Sequence, residues 1–373
     1  MLKLAVSTAV GLALTAQAAD DFTIVPVSGT VEQKMLDSGE VVMTVRSNSQ
    51  LRVTGSGKID VLLIGGGGGG GNASWSGGGG GGGGGGFVYT QNVEVVSRDY
   101  DIVIGAGGAL GVNGGNSTAF DVTAYGGGAG GYNSAGKNGA SGGGGGTPNY
   151  QKTSPTFYAG GQAIYGDQGY PGGVSTNSAT VTTWRTVAGA GGGGAGGPGG
   201  NAKSPSQGGD GGPGRMCAIT GEELHYGGGG GGFTLNYDTF PAGGKGGGGK
   251  GAGSHYNGSA VESRPGTNGT DWLGGGGGAS SQATDKYGKG GRGGCGVVII
   301  RYKPRNGGHL YERGQVAVGG ETSVRKSGGT FYQFHKFTND AETATFTLAE
   351  DAFVDLLLVG GGGAGGWGGG GGG

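Results

Sequence analysis

Ten consecutive glycines occupy residues 77–86, and shorter unbroken runs recur along most of the chain. Glycine supplies 108 of the 373 residues, roughly four times its usual share of about 7%. A glycine run has no side chains to bury, to ligate a metal or to transfer a proton. Any order in these runs must therefore come from their backbone N–H and C=O groups, which need hydrogen-bond partners wherever water is excluded.

Three arrangements of such runs compete. Collagen requires glycine at every third position and abundant proline, whereas these glycines form blocks and the chain has only 10 prolines. A flexible coil is the second arrangement, since glycine-rich linkers are disordered. The third is polyglycine II, an extended helix with three residues per turn whose hydrogen bonds come from neighbouring helices. Each ordered glycine costs about 0.5–1 kcal/mol more than alanine, so only a cooperative array held by a rigid frame offsets the loss.

Short β-branched and aromatic segments next to the runs predict that frame. Residues 60–64 read Asp-Val-Leu-Leu-Ile and lead straight into Gly65–Gly71, while Phe87-Val88-Tyr89 follows Gly77–Gly86. Two further segments of this kind are Tyr100–Ile104 and Gly296–Tyr302. Their composition is typical of strands, and a disordered linker would not be interrupted in this way. The sequence favours an all-β fold, in which a short-strand β-sandwich frame encloses packed polyglycine-II helices.

Residues other than glycine inside the runs indicate which positions face outward. Where two backbones touch, only glycine fits, because any Cβ would collide with the neighbour. Gly80 and Gly229 are predicted to lie inside such an array. The occasional alanines and serines are predicted to face solvent, as are the charged residues within the runs, which are Lys245, Lys250, Lys289 and Arg292.

The N-terminal residues have the composition of a secretory signal peptide. Met1-Leu2-Lys3 supplies a short basic start, an apolar stretch follows to Leu14, and Ala16-Gln17-Ala18 matches the small-residue cleavage pattern. Residues 1–18 are therefore predicted to be removed, which places the mature chain outside the cell or on its surface. No later apolar stretch reaches the ~20 residues needed to span a membrane, so no transmembrane segment is predicted.

The charge limits the classes of partner that the protein can bind, and the cysteine content leaves open whether a disulfide forms. The net charge is −1, and the absence of a basic patch excludes nucleic acid as a partner. The two cysteines are Cys217 and Cys295. In an oxidising compartment they would form one disulfide. The alternative is that Cys295 is simply a small residue that fits among the glycines before a strand.

The C-terminal residues repeat the start of the glycine-rich segment. Residues 354–360, Val-Asp-Leu-Leu-Leu-Val-Gly, match residues 59–65, Ile-Asp-Val-Leu-Leu-Ile-Gly. The second copy stops inside its first glycine run and has no equivalent of the closing strand at 297–302. We therefore predict four parts, which are a signal peptide at 1–18, a glycine-rich β/polyglycine module at 19–303, a linker at 304–315 and the start of a second, incomplete module at 316–373.

At these motifs the chain resembles a known family. The order "VLLIGGGGGGG", a long glycine run, "FVYTQNVEV", "YDIVIGAGGA", "GGNST" and "GGCGVVIIRY" is similar to that of the glycine-rich domain found in many bacterial secreted and surface proteins. A similar plan occurs in the extracellular glycine-rich region of anaplastic lymphoma kinase, and polyglycine bundles occur in some phage tail-fibre adhesins. The resemblance implies a β-sandwich that holds polyglycine helices and a surface or adhesive role, without shared catalytic residues.

No motif in the sequence points to catalysis. The Gly-Lys pairs are never followed by Ser or Thr, which excludes a phosphate-binding P-loop. The four histidines are isolated from one another, and none belongs to an H-E-x-x-H motif. The sequence therefore predicts that the protein is not an enzyme and holds neither a metal nor a cofactor.

Aromatic side chains in the polar loops between the runs are the candidate binding residues. Rigid rings supply contact area at a low entropic cost, and the selected residues are Tyr158, Tyr170, Trp184, Tyr237, Tyr256 and Trp272. The alternative is that these rings only cover the edge of the glycine array. The sequence thus predicts a secreted or cell-surface, non-enzymatic, adhesin-like scaffold whose loops bind a glycan, the cell envelope or a protein. A purely structural matrix or coat protein without a specific ligand is the second prediction.

Overall fold

The computed structural model describes only part of the chain. The described residues are 22–73, 77–147, 157–177, 187–204, 206–235, 240–256, 261–281 and 289–304, followed by 317–318, 321–327, 330–336 and 347–348. The chain divides into two compact units, Met1–Gly308 and His309–Gly373. The predicted signal peptide at 1–18 and most of the predicted linker lie outside the described residues.

Strands account for almost all of the regular structure, which confirms the all-β class. The first unit contains β1 (Thr23–Ser28), β2 (Val31–Met35), β3 (Val41–Val45), β4 (Ser49–Ile64), β5 (Phe87–Ile102), β6 (Ser117–Ala119), β7 (Val122–Ala124), β8 (Thr176–Asn177), β9 (Val187–Ala188), β10 (Arg215–Cys217), β11 (Leu224–Tyr226), β12 (Gly253–Tyr256), β13 (Val261–Arg264) and β14 (Val297–Tyr302). The second unit contains β15 (Ala317–Val318), β16 (Glu321–Ser327), β17 (Thr330–Lys336) and β18 (Thr347–Leu348). Among the described residues, the one helical segment is a 3-10 turn at Gly166–Gln168.

A six-stranded antiparallel sheet forms the frame of the first unit. Its order is β1-β4-β14-β3-β2, and β5 pairs with β4. The ladder between the 16-residue strands β4 and β5 runs from Ser49↔Ile102 to Ile64↔Phe87. The other edge of β4 is shared, because β1 pairs with its first half and β14 with its second half. This division, together with two register shifts in the β4–β5 ladder, curls the sheet.

Apolar side chains are buried on both faces of this sheet. Residues Val297–Ile300 of β14 alternate between the two faces, and each is at most 2% exposed. On one face, Leu62 and Ile299 pack with residues of the β10–β11 hairpin region, which are Cys217, Ile219 and Tyr226. Full burial of a Leu or Ile side chain stabilises a fold by about 1.5–3 kcal/mol. The two-sided core therefore makes the sheet a rigid frame for the glycine runs.

The first glycine runs continue from the ends of the paired strands. The β4–β5 ladder ends at Ile64↔Phe87, and Gly65–Gly71 then lies antiparallel to Gly77–Gly86. Every third N–H of the first run donates to the second run at 2.8–3.0 Å, and the donor–acceptor pairs are Gly65–Gly86, Gly68–Gly83 and Gly71–Gly80. The two runs thus extend the hairpin with one hydrogen bond per three residues.

The intervening residues of each run turn to other neighbours, and the pattern repeats after three residues. The six segments hydrogen-bonded to Gly65–Gly71 are residues 80–86, 112–115 and 291–294, which accept from it, and residues 108–111, 127–130 and 277–280, which donate to it. The run Gly77–Gly86 is surrounded in the same way by residues 274–280, 125–131, 190–193, 65–71, 144–147 and 230–233. We call this assembly of mutually hydrogen-bonded runs the glycine bundle.

The bundle leaves no space for side chains where its backbones touch. A Cβ atom at Gly80 would lie 2.0 Å from the C=O oxygen of Gly144, and one at Gly229 would lie 2.1 Å from the C=O oxygen of Gly192. Both glycines are interior, as predicted. The charged residues within the runs are exposed, which also confirms the prediction, and these are Lys245, Lys250, Lys289 and Arg292.

The prediction that alanine and serine face solvent is wrong for a group of small residues inside the bundle. These buried residues are Ala129, Ala190, Ala195, Ala252, Ala279, Ser141, Ser280 and Ser281. Ala252 and Ala279 pack with Val187 and Phe233 in an apolar cluster. Their methyl groups fill gaps that this ring and its neighbours leave between the runs, so interior positions are not limited to glycine.

Asparagine and aspartate side chains complete the hydrogen bonding at the surface of the bundle. The Oδ1 atom of Asn113 accepts from the N–H of Ala129 at 2.9 Å, and that of Asn268 accepts from the N–H of Arg292 at 3.0 Å. The side chains of Asn116, Asn138, Asn201 and Asp210 accept backbone N–H groups in the same way. Each side-chain oxygen takes the place of the carbonyl group that a further glycine segment would supply.

The described residues of the second unit form two antiparallel strand pairs, β15–β18 and β16–β17. The β16–β17 hairpin brings Ser327 opposite Thr330. Residues 28–30 (Ser-Gly-Thr) are similar in sequence to residues 327–330 (Ser-Gly-Gly-Thr), but there β1 and β2 pair with β4 and β3 rather than with each other. The predicted strand at 354–359 and the glycine run at 360–373 lie outside the described residues, so the second copy stays a prediction.

Candidate functional site

The six aromatic residues predicted to bind a ligand occupy separate parts of the chain. Tyr158 and Tyr170 lie on the segment 157–177, and Trp272 lies in the turn that precedes Gly274. Tyr256 is the last residue of β12, and only its backbone is described. The remaining two, Trp184 and Tyr237, lie outside the described residues. The structure therefore brings two of the six onto one segment and places Trp272 on another.

The 157–177 segment concentrates exposed apolar side chains. They are Phe157, Ile164, Tyr165, Tyr170 and Val174, and their exposed fractions range from 37 to 59%. Single exposed apolar residues are common on protein surfaces, whereas a concentration of them marks an interaction surface. This segment is the first candidate site.

Hydrogen bonds and one stacked ring pair attach the 157–177 segment to the rest of the unit. Gln168 donates through Nε2 to the Thr123 carbonyl at 3.0 Å and accepts the N–H of Tyr125 at 2.9 Å. The rings of Tyr125 and Tyr165 stack with centroids 3.8 Å apart and planes 6° from parallel. Sequence analysis selected neither tyrosine, since nothing local indicates that two rings 40 positions apart would meet. The exposed rings of the segment are therefore displayed on an anchored backbone.

The environment of Tyr158, unlike that of the other aromatic residues of the segment, indicates a structural role. Its hydroxyl donates to Asn133 Oδ1 at 3.1 Å, and its N–H donates to Ser175 Oγ at 3.0 Å. The residue is half-buried. Tyr158 thus fits the alternative in which an aromatic residue covers the edge of the bundle.

Trp272 lies in a strained turn that its neighbours hold in place. Its φ is +62°, a left-handed conformation that is an outlier for a bulky residue and costs of the order of 1–3 kcal/mol. On either side, the N–H of Thr270 donates to the Gly247 carbonyl at 2.8 Å and the Leu273 carbonyl accepts from Gly227 at 2.7 Å. Leu273 packs against the sheet core, whereas 46% of Trp272 is exposed. The turn packs the partly buried leucine against the core and leaves about half of the indole exposed.

The carboxylate of Asp271 fixes the same turn from the other side. Its two oxygens accept from Nη1 and Nη2 of Arg292 at 2.9 and 2.7 Å, and Oδ1 also accepts the N–H of Cys295 at 2.9 Å. Charge-assisted, bidentate bonds of this kind favour the ionised carboxylate. The bonds, with Arg292 first, lower the pKa of Asp271 to about 2.

The lowered pKa of Asp271 predicts a stability contribution that depends on pH. The contribution is fully present above the unfolded-state pKa of about 4 and is lost as the pH falls through the folded-state value of about 2. We expect Asp271→Asn to melt at a lower temperature than the unchanged chain at pH 7. The gap should narrow between about pH 4 and pH 2, as measured by thermal melts at each pH. A gap that stays constant down to pH 2 would contradict the assignment.

Arg46 lies over the exposed indole. Its guanidinium carbon is 5.3 Å from the centroid of the Trp272 ring, within the range of cation–π attraction. Its Nη1 atom donates to Glu32 Oε2 at 2.7 Å. Sequence analysis missed Arg46 and Glu32, because the contact joins β2, the turn after β3 and a distant turn of the glycine-rich segment. Together Glu32, Arg46 and Trp272 make the second candidate site.

A shallow, open depression of about 440 Å³ lies beside the turn that carries Arg46. Its lining residues are Ser28, Asn48, Ser49, Gln50, Asp101, Ile102 and Val103. Most of these are polar, and Gln50 donates through Nε2 to Asp101 Oδ1 at 2.9 Å. The depression therefore has a mixed polar and apolar lining, and several of its polar groups are hydrogen-bonded within the protein.

The disulfide considered for Cys217 and Cys295 is not formed, and both thiols are free. Cys217 is buried in the apolar cluster between β10 and the sheet, where desolvation raises the pKa of its thiol. The backbone of Cys295 is bound elsewhere, because its N–H donates to Asp271 and its carbonyl accepts from Gly274 at 3.1 Å. The alternative in which Cys295 fits among the glycines describes the structure.

Two kinds of feature are absent from the part of the chain that the structure describes. No group of three or more His, Cys, Asp or Glu side chains is arranged to hold a metal ion there. The same residues form no helix that is long and apolar enough to cross a membrane.

Comparison with known proteins gives the class of this fold. Residues 44–303, from the end of β3 to the end of β14, match the family model of the glycine-rich domain. The match covers well over half of the chain, so the chain belongs to the glycine-rich domain family. The comparison with curated proteins finds no match.

Proposed function

We propose that the glycine runs are polyglycine-II helices in hexagonal packing and that the glycine bundle is a rigid scaffold. The support is the three-residue repeat of hydrogen-bond partners along Gly65–Gly71 and Gly77–Gly86, which is the repeat of an extended helix with three residues per turn. Six hydrogen-bonded neighbours around each of these runs are what hexagonal packing requires. The sheet fixes the ends of both runs and so holds them in register for their hydrogen bonds. These bonds offset the entropic cost of ordering the glycines.

We propose further that the protein is a secreted or cell-surface, non-enzymatic, adhesin-like scaffold that presents aromatic and polar side chains to a ligand. The ligand is a glycan, a component of the cell envelope or a protein. The observation that carries this proposal is the group of exposed apolar residues on the anchored 157–177 segment. A surface that is already ordered binds without the cost of ordering loops. The signal-peptide pattern at residues 1–18 supports the location, including a bacterial surface as the family resemblance implies.

The second candidate function is a purely structural matrix or coat component without a specific ligand. The half-buried, hydrogen-bonded ring of Tyr158 favours it, because that residue serves the bundle rather than the solvent. On this view the other exposed rings are also covers for the bundle edge, and their removal affects stability only.

Binding of the full chain to cell surfaces tests the proposal. We would compare the fluorescently labelled chain with a triple variant, Phe157→Ser, Ile164→Ser and Tyr170→Ser, on a panel of bacterial and animal cells. The control is Val96→Ser with Val112→Ser, which removes apolar side chains that are 56% and 51% exposed elsewhere. We expect saturable binding that the triple variant weakens at least about tenfold and the control leaves unchanged. Absence of binding across the panel would favour the structural function.

A further inference from the structure

The identity of residue 272 is not explained by the turn in which it lies. Trp272 and, two residues later, Gly274 both have positive φ, and the partly buried Leu273 between them packs against the core. Glycine or asparagine would make the same turn at a lower conformational cost. An indole that is 46% exposed contributes less burial than a core residue. The turn by itself therefore does not account for a tryptophan at position 272.

Strained positions of this kind indicate function. A strained backbone conformation persists only where neighbouring residues hold it in place, and such conformations cluster at binding and active sites. The flanking residues hold the turn through backbone hydrogen bonds to Gly247 and Gly227. Asp271 holds it through Arg292 and Cys295. The indole is thus presented in a fixed orientation, which is how a stacking surface avoids an entropic cost on binding.

Hydrogen-bonding groups of both kinds border this indole. Arg46 lies over the ring at 5.3 Å and has five N–H donors, of which Nη1 is used by Glu32. The Glu32 carboxylate, whose side chain is 64% exposed, supplies acceptors. A flat apolar ring next to donors and acceptors matches a ligand with one apolar face and many hydroxyl groups.

We propose that Trp272, Arg46 and Glu32 form a binding site for a pyranose saccharide. The C–H face of the sugar ring stacks on the part of the indole that Arg46 leaves exposed, and its hydroxyl groups, or the carboxylate of an acidic sugar, pair with the remaining donors of Arg46 and with Glu32. This inference rests on the proposed function and names its ligand class as glycan.

The test uses the full chain on an array of neutral and acidic pyranose oligosaccharides, followed by titration of the oligosaccharides that bind. Trp272→Gly is the decisive variant, because glycine removes the indole and relieves the positive φ at once, so the fold is retained. We expect Trp272→Gly to weaken binding at least about tenfold, as loss of a stacked ring does, with an unchanged or raised melting temperature. Arg46→Met should weaken binding less, and Trp272→Phe should retain part of it.

The matched control is Tyr89→Ser, which removes another exposed aromatic ring, 38% exposed on β5, and should leave the affinity unchanged. Saccharide binding that is equal in the unchanged chain and in Trp272→Gly overturns the site and leaves the proposed function standing. Binding to cells without binding to any saccharide overturns the inference alone. Absence of binding to both cells and saccharides overturns the inference together with the adhesin-like function.

Discussion

Gly80→Ala is expected to destabilise the first unit by about 3 kcal/mol or more, the upper end of overpacking effects. For a unit of this size that corresponds to a fall in melting temperature of roughly 6–12 °C. The added Cβ would lie 2.0 Å from the carbonyl oxygen of Gly144. In a flexible chain the same change would leave the melting temperature unchanged, since a disordered glycine loses no conformational entropy on folding.

The obstruction at Gly80 cannot be relieved by a local shift. Gly80 belongs to a run that hydrogen-bonds to six neighbouring segments, so a displacement in any direction meets another backbone. Gly229→Ala should behave alike, because its Cβ would lie 2.1 Å from the Gly192 oxygen. The control is Ala109→Ser at an exposed position of the bundle, which should change the melting temperature little. If Gly80→Ala and Ala109→Ser had the same melting temperature, the close packing of the bundle would be contradicted.

Phe233→Ala is expected to destabilise the unit by about 3–5 kcal/mol, as truncation of a buried phenylalanine does. Phe233 is fully buried and packs with Val187, Ala252 and Ala279. A Cβ at Gly78 would lie 1.9 Å from Cγ of Phe233, so the ring lies directly against a glycine backbone. The hydrogen-bonded runs cannot close around the cavity, because closing would break their N–H···O=C bonds. The loss should therefore lie near the top of the range.

Thermal or urea melts of the full chain measure this effect. Met216→Ala is the matched control, since Met216 is 49% exposed on β10 and its truncation should cost less than about 0.5 kcal/mol. Equal stability of Phe233→Ala and Met216→Ala in these melts would show that the phenylalanine ring does not stabilise the bundle. The comparison separates core packing from the general effect of losing an apolar side chain.

The strands of the frame could be predicted because side chains determine them. Residues 61–64 and 297–300 are all apolar and most of them are β-branched, and the structure places them in the adjacent strands β4 and β14. Segments 87–89 and 100–104 were predicted separately, yet Phe87–Ile102 is one continuous strand. The polar residues between those segments hid its continuity, since they lie on a strand that is largely exposed along its middle. The pairing order of the sheet had no local signal.

The neighbours of each glycine run could not be predicted for a physical reason. A run without side chains has no pattern that distinguishes one partner from another, and its partners are set by the three-residue rotation of its backbone groups. The antiparallel contact between 65–71 and 77–86 follows from the short connection between them. The contacts of 65–71 with 291–294 and 127–130 depend on the packing of the whole bundle.

At the candidate sites, too, single exposed residues could be predicted from the sequence, whereas contacts between distant segments could not. Exposed aromatics such as Tyr170 and Trp272 were predicted as loop residues. The stacking of Tyr165 on Tyr125 and the position of Arg46 over Trp272 join distant segments and left no trace in the local sequence. Asparagine is common in turns, so the sequence did not distinguish Asn113 and Asn268. The structure shows that their side chains accept hydrogen bonds from the backbone of other segments.

Amide hydrogen exchange across Gly77–Gly86 tests the central claim most directly. The N–H groups of residues 79–86 all donate to neighbouring segments at 2.8–2.9 Å, although none of these residues belongs to a strand or helix. We predict that peptides covering this run exchange as slowly as those covering Val61–Ile64 in the sheet core, because both open only when the unit unfolds. Exchange at the rate of an unstructured chain in 77–86, with protection retained in 61–64, would contradict the account.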